Sequence, residues 1–365
     1  MNKRLFAVLP FLAVTLGSCG GAAPVLSDYV RSNDLFKGSS SLKILQFTDL
    51  HWSMWTDLTK ESQYLSGLVK KTSPDVIMIT GDSFSSANAT TVDTLWSLVD
   101  SWKIPWAFVY GNHDESGTYD PAFPARIALS HSFEKGGYCL YQEVDGDNVY
   151  GDSNFVINLT DGTKTIWQLY GIDSNSLRFN GLYYDYDVIH KDQIYWYKDE
   201  VNLAKANNGG VVVPSLAFFH IPLWQTEYAY RLSNNESSKG TLISSGGVMT
   251  ESVYSQAPLD LKGTRTYPGY EDTGLFNVVE TLGATKGLFY GHDHINDFYA
   301  VYHDDAWTGA ANDGVLLAYG VKTGNGLYYN EKMIGGALIT IHADGTFVPA
   351  TDYQQVFYSY SEAGL

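Results

Sequence analysis

Residues 104–114 read IPWAFVYGNHD: an apolar run stops at Gly111 and releases Asn112, His113 and Asp114 in immediate succession. A buried strand that breaks at glycine and hands over three chemically capable side chains is how an α/β sheet delivers a site to its carboxyl edge. The pattern recurs along the chain. LKILQFTDLH (42–51) supplies Asp49 and His51, DVIMITGD (75–82) supplies Asp82, SLAFFH (215–220) supplies His220, and TKGLFYGHDH (285–294) supplies His292 and His294. Five of the nine histidines therefore stand at predicted strand ends.

Between the first three runs lie segments with helical spacing: Leu58, Leu65, Leu68 and Val69, then Val92, Leu95, Trp96 and Val99. Strand and helix in alternation predict parallel strands buried on both faces. The texture changes over 137–172, where YCLYQEV, NFVINL and TIWQLYGI are separated by turn-rich segments and predict antiparallel hairpins. Helices are expected over 191–206 and in GLFNVVETLG, and short strands in FYAVYH, GVLLAYG and GALITIH. The polar stretch 226–272 is too long for an ordinary connection and is expected to be an insertion over the site. YGVKTG lacks the glycine spacing of a phosphate loop. Both faces of the parallel strands and of the later strands must be covered. The expected fold is therefore α/β, a four-layer α/β/β/α sandwich with two central mixed sheets, spanning residues 41–365.

The N-terminus places Lys3 and Arg4 before an apolar run, Leu5–Leu16, too short to span a bilayer and arranged like a secretory leader. The run ends in LGSC, which resembles a bacterial lipobox. That resemblance implies a leader over 1–18, lipid on Cys19, a tether over 19–40 and an extracytoplasmic, membrane-anchored domain. Only Cys139 then remains, so the mature chain has neither an intramolecular disulfide nor a cysteine metal motif. Its charge is acidic: 23 Lys and Arg against 40 Asp and Glu give −17, or −19 once Lys3 and Arg4 leave with the leader. Such a surface repels a polyphosphate backbone and argues against a nucleic-acid partner.

Asp49, His51, Asp82, Asn112, His220, His292 and His294 offer carboxylate, imidazole and amide oxygen without thiolate, a donor set for Mn, Fe or Zn. Seven side chains exceed what one ion uses and suit two ions that share a carboxylate. His131, His190, His303 and His342 lie outside this pattern and are expected to be structural. Trp52, Trp55, Trp224, Tyr267 and Tyr270 flank it and are candidates for pocket walls or core.

In order along the chain, D-x-H, GD, GNHD, H and GHDH resemble the calcineurin-like metallophosphoesterase superfamily, and FFHIPL, GHDHIND and YGVKTG resemble its branch related to purple acid phosphatases. The resemblance implies a phosphoester hydrolase. Asp49, His51 and His294 would hold one ion, Asn112, His220 and His292 the other, and Asp82 would bridge. A metal-bridging hydroxide would attack phosphorus, and His113, supported by Asp114, would protonate the leaving alkoxide. Two departures stand out. Ser85 occupies the position of the tyrosine ligand of purple enzymes, so no tyrosinate colour is expected, and Val321 stands where an arginine is common. The ligand set is equally compatible with a phosphodiesterase or nucleotidase. Outside catalysis, a metal-binding surface lipoprotein is the competing expectation.

Overall fold

The apolar runs that precede the site residues become strands. In the computed structural model, which describes residues 30–116, 122–142, 149–179, 182, 184–250, 271–305, 307, 309 and 313–365, the first run forms β2 (Ser41–Phe47). It is followed by α1 (Leu58–Thr72), β3 (Val76–Thr80), α2 (Ala89–Ser101) and β4 (Trp106–Val109). β2, β3 and β4 pair in parallel, and every residue of β3 and β4 is buried, which is why these segments carry no apolar–polar alternation. The crossover α1 starts at Asp57, whose carboxylate accepts the Lys60 N–H, and stops at Ser73 in the left-handed region. On the other side of β2, β14 (Gly335–His342) and β15 (Tyr353–Phe357) add antiparallel, giving a five-stranded sheet ordered β15-β14-β2-β3-β4.

The second sheet has eight strands: β1 (Val30–Asn33), β5 (Phe155–Thr160), β6 (Thr165–Gly171), β9 (Ser215–Phe218), β11 (Thr285–Tyr290), β13 (Val315–Tyr319), β12 (Tyr299–His303) and β10 (Thr241–Gly246), in that spatial order. β6, β9, β11 and β13 run parallel, and β12 and β10 close the edge antiparallel. β7 (Leu177–Phe179) and β8 (Tyr184–Tyr186) form a separate antiparallel hairpin. Helices α3 (Asn112–Ser116) and α4 (Phe123–Ser130) follow β4, and α5 (Lys191–Asn207), α6 (Trp224–Ser233) and α7 (Leu275–Leu282) accompany the larger sheet.

One apolar cluster runs from Tyr64, Leu68 and Trp96 of α1 and α2 through the five-stranded sheet to Leu169, Phe218 and Phe289 of the larger one. Within it Trp96 stacks on Trp106 at 5.1 Å and lies 4.9 Å from Phe108, and its truncation to Ala should cost about 3–5 kcal/mol. A second cluster joins the outer face of the eight-stranded sheet to α5, α6 and α7, with Tyr170 against Trp196 and Tyr197, and Phe276 against Tyr302. Helices, sheet, sheet and helices make the expected four-layer α/β/β/α sandwich with two mixed sheets.

Three local expectations need correction. Val30–Asn33 pairs in parallel with β5, so these residues, expected in the tether 19–40, already belong to a sheet. Residues 138–142 of YCLYQEV form no strand: Cys139 is fully buried and forms isolated bridges to Trp106 and Ser132. The stretch 226–272, expected as a polar insertion, lies partly in α6 and contains β10, which pairs with β12; residues 251–270 lie outside the described residues. Also outside them are the leader, Cys19, Tyr267 and Tyr270. Among the described residues no helix is long and apolar enough to cross a membrane.

Candidate metal centre

The five-stranded sheet delivers Asp49 and His51 after β2, Asp82 after β3, and Asn112 directly after β4; the eight-stranded sheet delivers His220 after β9, and His292 and His294 after β11. All seven side chains are buried, and the structure brings the two carboxylates and four imidazoles together; Asn112 opens α3 two residues after Tyr110. The turns that do this are strained. Asp49, His51, Asp82 and His292 have φ of 55°, 50°, 51° and 83°, left-handed backbone that costs non-glycine residues about 1–3 kcal/mol each and persists where the surroundings enforce it. Here Asp49 N–H donates to the Gly81 carbonyl at 3.1 Å and His51 N–H to the Asp82 carbonyl at 2.9 Å, lacing the first two turns together. Gly291 is required by close approach: a Cβ there would lie 1.9 Å from Thr48 Oγ1 and 2.4 Å from Asp49 Oδ2.

Ligand-type atoms of Asp49, His51, Asp82 and His294 lie within 4.8 Å of one another, and those of Asp82, His220 and His292 form a second such group. Asp82 belongs to both. Its Oδ2 is 3.4 Å from His51 Nε2 and 3.2 Å from His220 Nε2, while Asp49 Oδ1 is 3.4 Å from His294 Nε2. His220 Nδ1 is 2.8 Å from the Thr80 carbonyl and His294 Nδ1 is 2.8 Å from the Tyr328 carbonyl. A carbonyl can only accept, so both Nδ1 atoms carry the proton, and in the neutral rings Nε2 presents its lone pair. Yet His294 Nε2 faces His51 Nε2 at 2.9 Å, and His220 Nε2 faces His292 Nδ1 at 3.3 Å. Nitrogen lone pairs and carboxylate oxygens converging at such distances repel one another unless cations lie among them. The buried Asp and His cluster therefore suits a dinuclear metal site.

Electrostatics point the same way. Burial pushes the His51 and His294 imidazoles down and takes His292 to about 3, leaving them neutral, as ligands must be. Burial alone would raise Asp49 and Asp82, but neighbouring imidazoles, His294 for the first and His220 for the second, hold both carboxyls below their ordinary range. His220 goes the other way. Burial opposes its charge, but the Asp82 carboxylate prevails and lifts it to about 10. Positive charge beside Asp82 is thus favoured within the cluster, and a cation there would do the same electrostatic work.

His113 is half-buried at the edge of the cluster and belongs to neither group; its N–H donates to Asp82 Oδ1 at 2.8 Å and its ring meets His51 edge-on at 4.9 Å. Asp114 is buried, and its two oxygens accept the N–H groups of Phe84 and Gly111 at 2.8 and 2.9 Å, tying the turn after β3 to the turn after β4. Burial, with Asp82 nearby, pushes its carboxyl up to about 7. Asp293, between the two histidines His292 and His294, is buried and accepts a hydrogen bond from Tyr319. Ser85, at the position of the tyrosine ligand in purple enzymes, donates to the His51 carbonyl at 3.4 Å.

Two contributions were invisible in the sequence pattern. Lys322, from the rejected YGVKTG segment, is buried beneath the centre and donates from Nζ to the Asp49 carbonyl at 2.5 Å; burial pulls it down to about 8. Tyr186 and Tyr328 pack on His292 and His294, at 4.4 and 4.1 Å between ring centroids. The flanking tryptophans divide: Trp52 is core, Trp55 is exposed and Trp224 lines a small cavity beside Ser174. Of the remaining histidines, His131, His190 and His342 face Asp100, Asp187 and Asp352, and His303 stacks on Trp307, as structural residues do.

The chain is similar to known proteins over most of its length. It is 26% identical over 378 residues to Probable inactive purple acid phosphatase 14 of Arabidopsis thaliana, an alignment covering 92% of this chain and 83% of that protein. With Phosphatase DCR2 of Saccharomyces cerevisiae it shares 27% identity over 345 residues, 87% of this chain and 53% of that one. A dimetal phosphatase structure from Danio rerio superposes with a TM-score of 0.49 at 9% identity, covering 88% of this chain and 100% of the other. Residues 42–296, which hold all six clustered side chains and Asn112, match the calcineurin-like phosphoesterase family, and to that family this chain belongs.

Proposed function

We propose that this protein hydrolyses phosphoesters at a centre holding two metal ions of the Mn, Fe or Zn class. The observation that carries the reading is the pair of ligand groups joined through Asp82. Asp49, His51 and His294 hold one ion, Asn112, His220 and His292 the other, and Asp82 serves both. When bound, the ions supply positive charge to the phosphoryl oxygens and an activated water as nucleophile. The chain's own residues do the rest. The buried cluster excludes bulk water, Asp82 fixes the turn that carries His113 through the His113 N–H, and Asp114 braces that turn from below. His113, free of the ligand groups, gives its proton to the departing alkoxide as the ester P–O bond breaks.

The plant relative's name, with the word inactive in it, favours a second reading in which the centre binds metal without turnover. Metal analysis of protein purified without chelator, together with assays on aryl phosphate monoesters and diesters, separates the two. About two ions per chain with hydrolysis of either ester class supports catalysis, and two ions with no hydrolysis of any ester overturns it. The leader-like residues Lys3, Arg4 and Leu5–Leu16 and the LGSC motif support a further part of the reading, in which lipid on Cys19 tethers the enzyme outside the cytoplasm.

A further inference from the structure

Exposed apolar side chains adjoin the ligand residues through the β7–β8 hairpin and Tyr328, and Trp55 follows His51 closely in the chain. In the β7–β8 hairpin Leu177 lies opposite Tyr186 and Phe179 opposite Tyr184, so the four side chains stand on one face. The inner end of that face is fixed at the centre, where Tyr186 meets His292 edge-on. Its outer end is bare: Phe179 and Tyr184 have ring centroids 5.3 Å apart and are 55% and 69% exposed. Tyr328, stacked on His294, is 43% exposed, and Trp55, four residues beyond His51, is 77% exposed. Rings this open contribute little to folding, and soluble proteins seldom leave so many together without a use.

Resting on the phosphoester-hydrolase reading, we propose that this wall receives the alcohol portion of the substrate. The substrate class is then phosphoesters of aromatic or long-chain apolar alcohols, in preference to those of sugars or glycerol. Continuity carries the argument. A phosphoryl group seated against His292 and His294 must send its ester oxygen outward, past Tyr186 and Tyr328, and the next surface beyond Tyr186 on the hairpin is the Phe179–Tyr184 pair. Apolar carbon laid on that pair leaves water and covers rings that are otherwise wet.

The test uses the metal-loaded full chain and two series, one of straight-chain alkyl phosphates from ethyl to decyl below micelle formation, the other phenyl against biphenyl phosphate. Alkyl alcohols differ little as leaving groups, so the first series isolates binding. Expected is a rise in kcat/KM of about tenfold for every three to four methylenes, the worth of half-burying each one, and a preference for biphenyl if aryl groups use the same wall. Calorimetric titration with ethyl- and decylphosphonate, which are not hydrolysed, should show the same preference as affinity, with a negative heat-capacity change. Phe179→Ser/Tyr184→Ser should flatten both dependences; Trp55→Ser, on a different loop, provides a second variant should the hairpin lose its shape by circular dichroism. Hydrolysis of ethyl and phenyl phosphates with no chain-length preference overturns this inference and leaves the phosphoesterase reading intact. A preference that survives both variants also overturns it, as does a flat profile in a protein whose hairpin instead binds lipid vesicles. Two bound ions with no hydrolysis of any ester defeats the underlying reading; the phosphonate affinities then decide the apolar site separately.

Discussion

Replacing Lys322 with Met should change how the stability of this protein depends on pH, and by an amount the structure sets. The ammonium is buried against the Asp49 carbonyl; burial pulls it from the ordinary 10.5 down to about 8, although Asp49, Asp82 and Glu61 pull the other way. The unfolded chain keeps this proton up to about pH 10.5, whereas the folded chain releases it near pH 8. Between those values the unfolded state binds more protons, so stability rises with pH; the contribution is complete above 10.5 and is lost as pH falls through 8. The drop from 10.5 to about 8, at 1.36 kcal/mol for each pH unit, is about 3 kcal/mol, of which about 2 kcal/mol falls between pH 7.5 and 9.5. Met keeps the buried stem without the charge and lacks this contribution. Lys322→Arg keeps the charge throughout and lacks it too. Urea unfolding of the chelator-treated protein at pH 7.5, 8.5 and 9.5 measures the effect. The stability of wild type minus that of Lys322→Met should grow by about 2 kcal/mol from pH 7.5 to 9.5. Parallel pH curves for the two proteins would refute the reasoning, whatever their offset.

His113→Ala should lower turnover by about 10² to 10⁴ while leaving metal content near two ions per chain, and the loss should shrink for esters whose leaving group departs without a proton. Metal loss in that variant would make His113 a ligand. Asp82→Asn should lose both ions and activity together by metal analysis, because one carboxylate serves both groups. Gly291→Ala should lower stability by at least about 2 kcal/mol in chemical unfolding and weaken metal retention, since the added methyl meets Thr48 Oγ1 and Asp49 Oδ2. Cys19→Ser should release the protein from membranes with phosphatase activity intact; unchanged membrane partitioning would sink the lipid assignment.

Why was the centre legible in the sequence when parts of the sheets around it were not? ILQF, VIMIT and WAFV are buried on both faces, so their strands appear as mainly apolar runs without alternation, and each stops where a ligand turn begins. The edges carry no such signal. β1 is VRSN, and β10 is TLISSG with no fully buried residue; the first pairs with β5 and the second with β12. YCLYQEV fails in the opposite sense, since Cys139, Leu140 and Tyr141 are buried as core and yet form no ladder. Lys322 was hidden because a motif test asks about glycine spacing, whereas its place depends on a carbonyl 273 residues away in the chain. Asp114 was found as a polar neighbour of His113, but that its carboxylate laces two turns required the turn after β3 to be in view.

Each ligand group takes members from both sheets: His294 joins Asp49, His51 and Asp82, while His220 and His292 join Asp82. Neither half of the sandwich can therefore assemble a complete set alone, and the affinity of the pair of ions becomes a measure of how firmly the two halves are closed. A cation that spans the join is a rivet whose grip adds to the energy needed to pry the layers apart, by mass action on the closed state only. A loosening mutation deep between the sheets, far from any ligand, should then announce itself first as faster escape of metal, before any change in secondary structure can be seen.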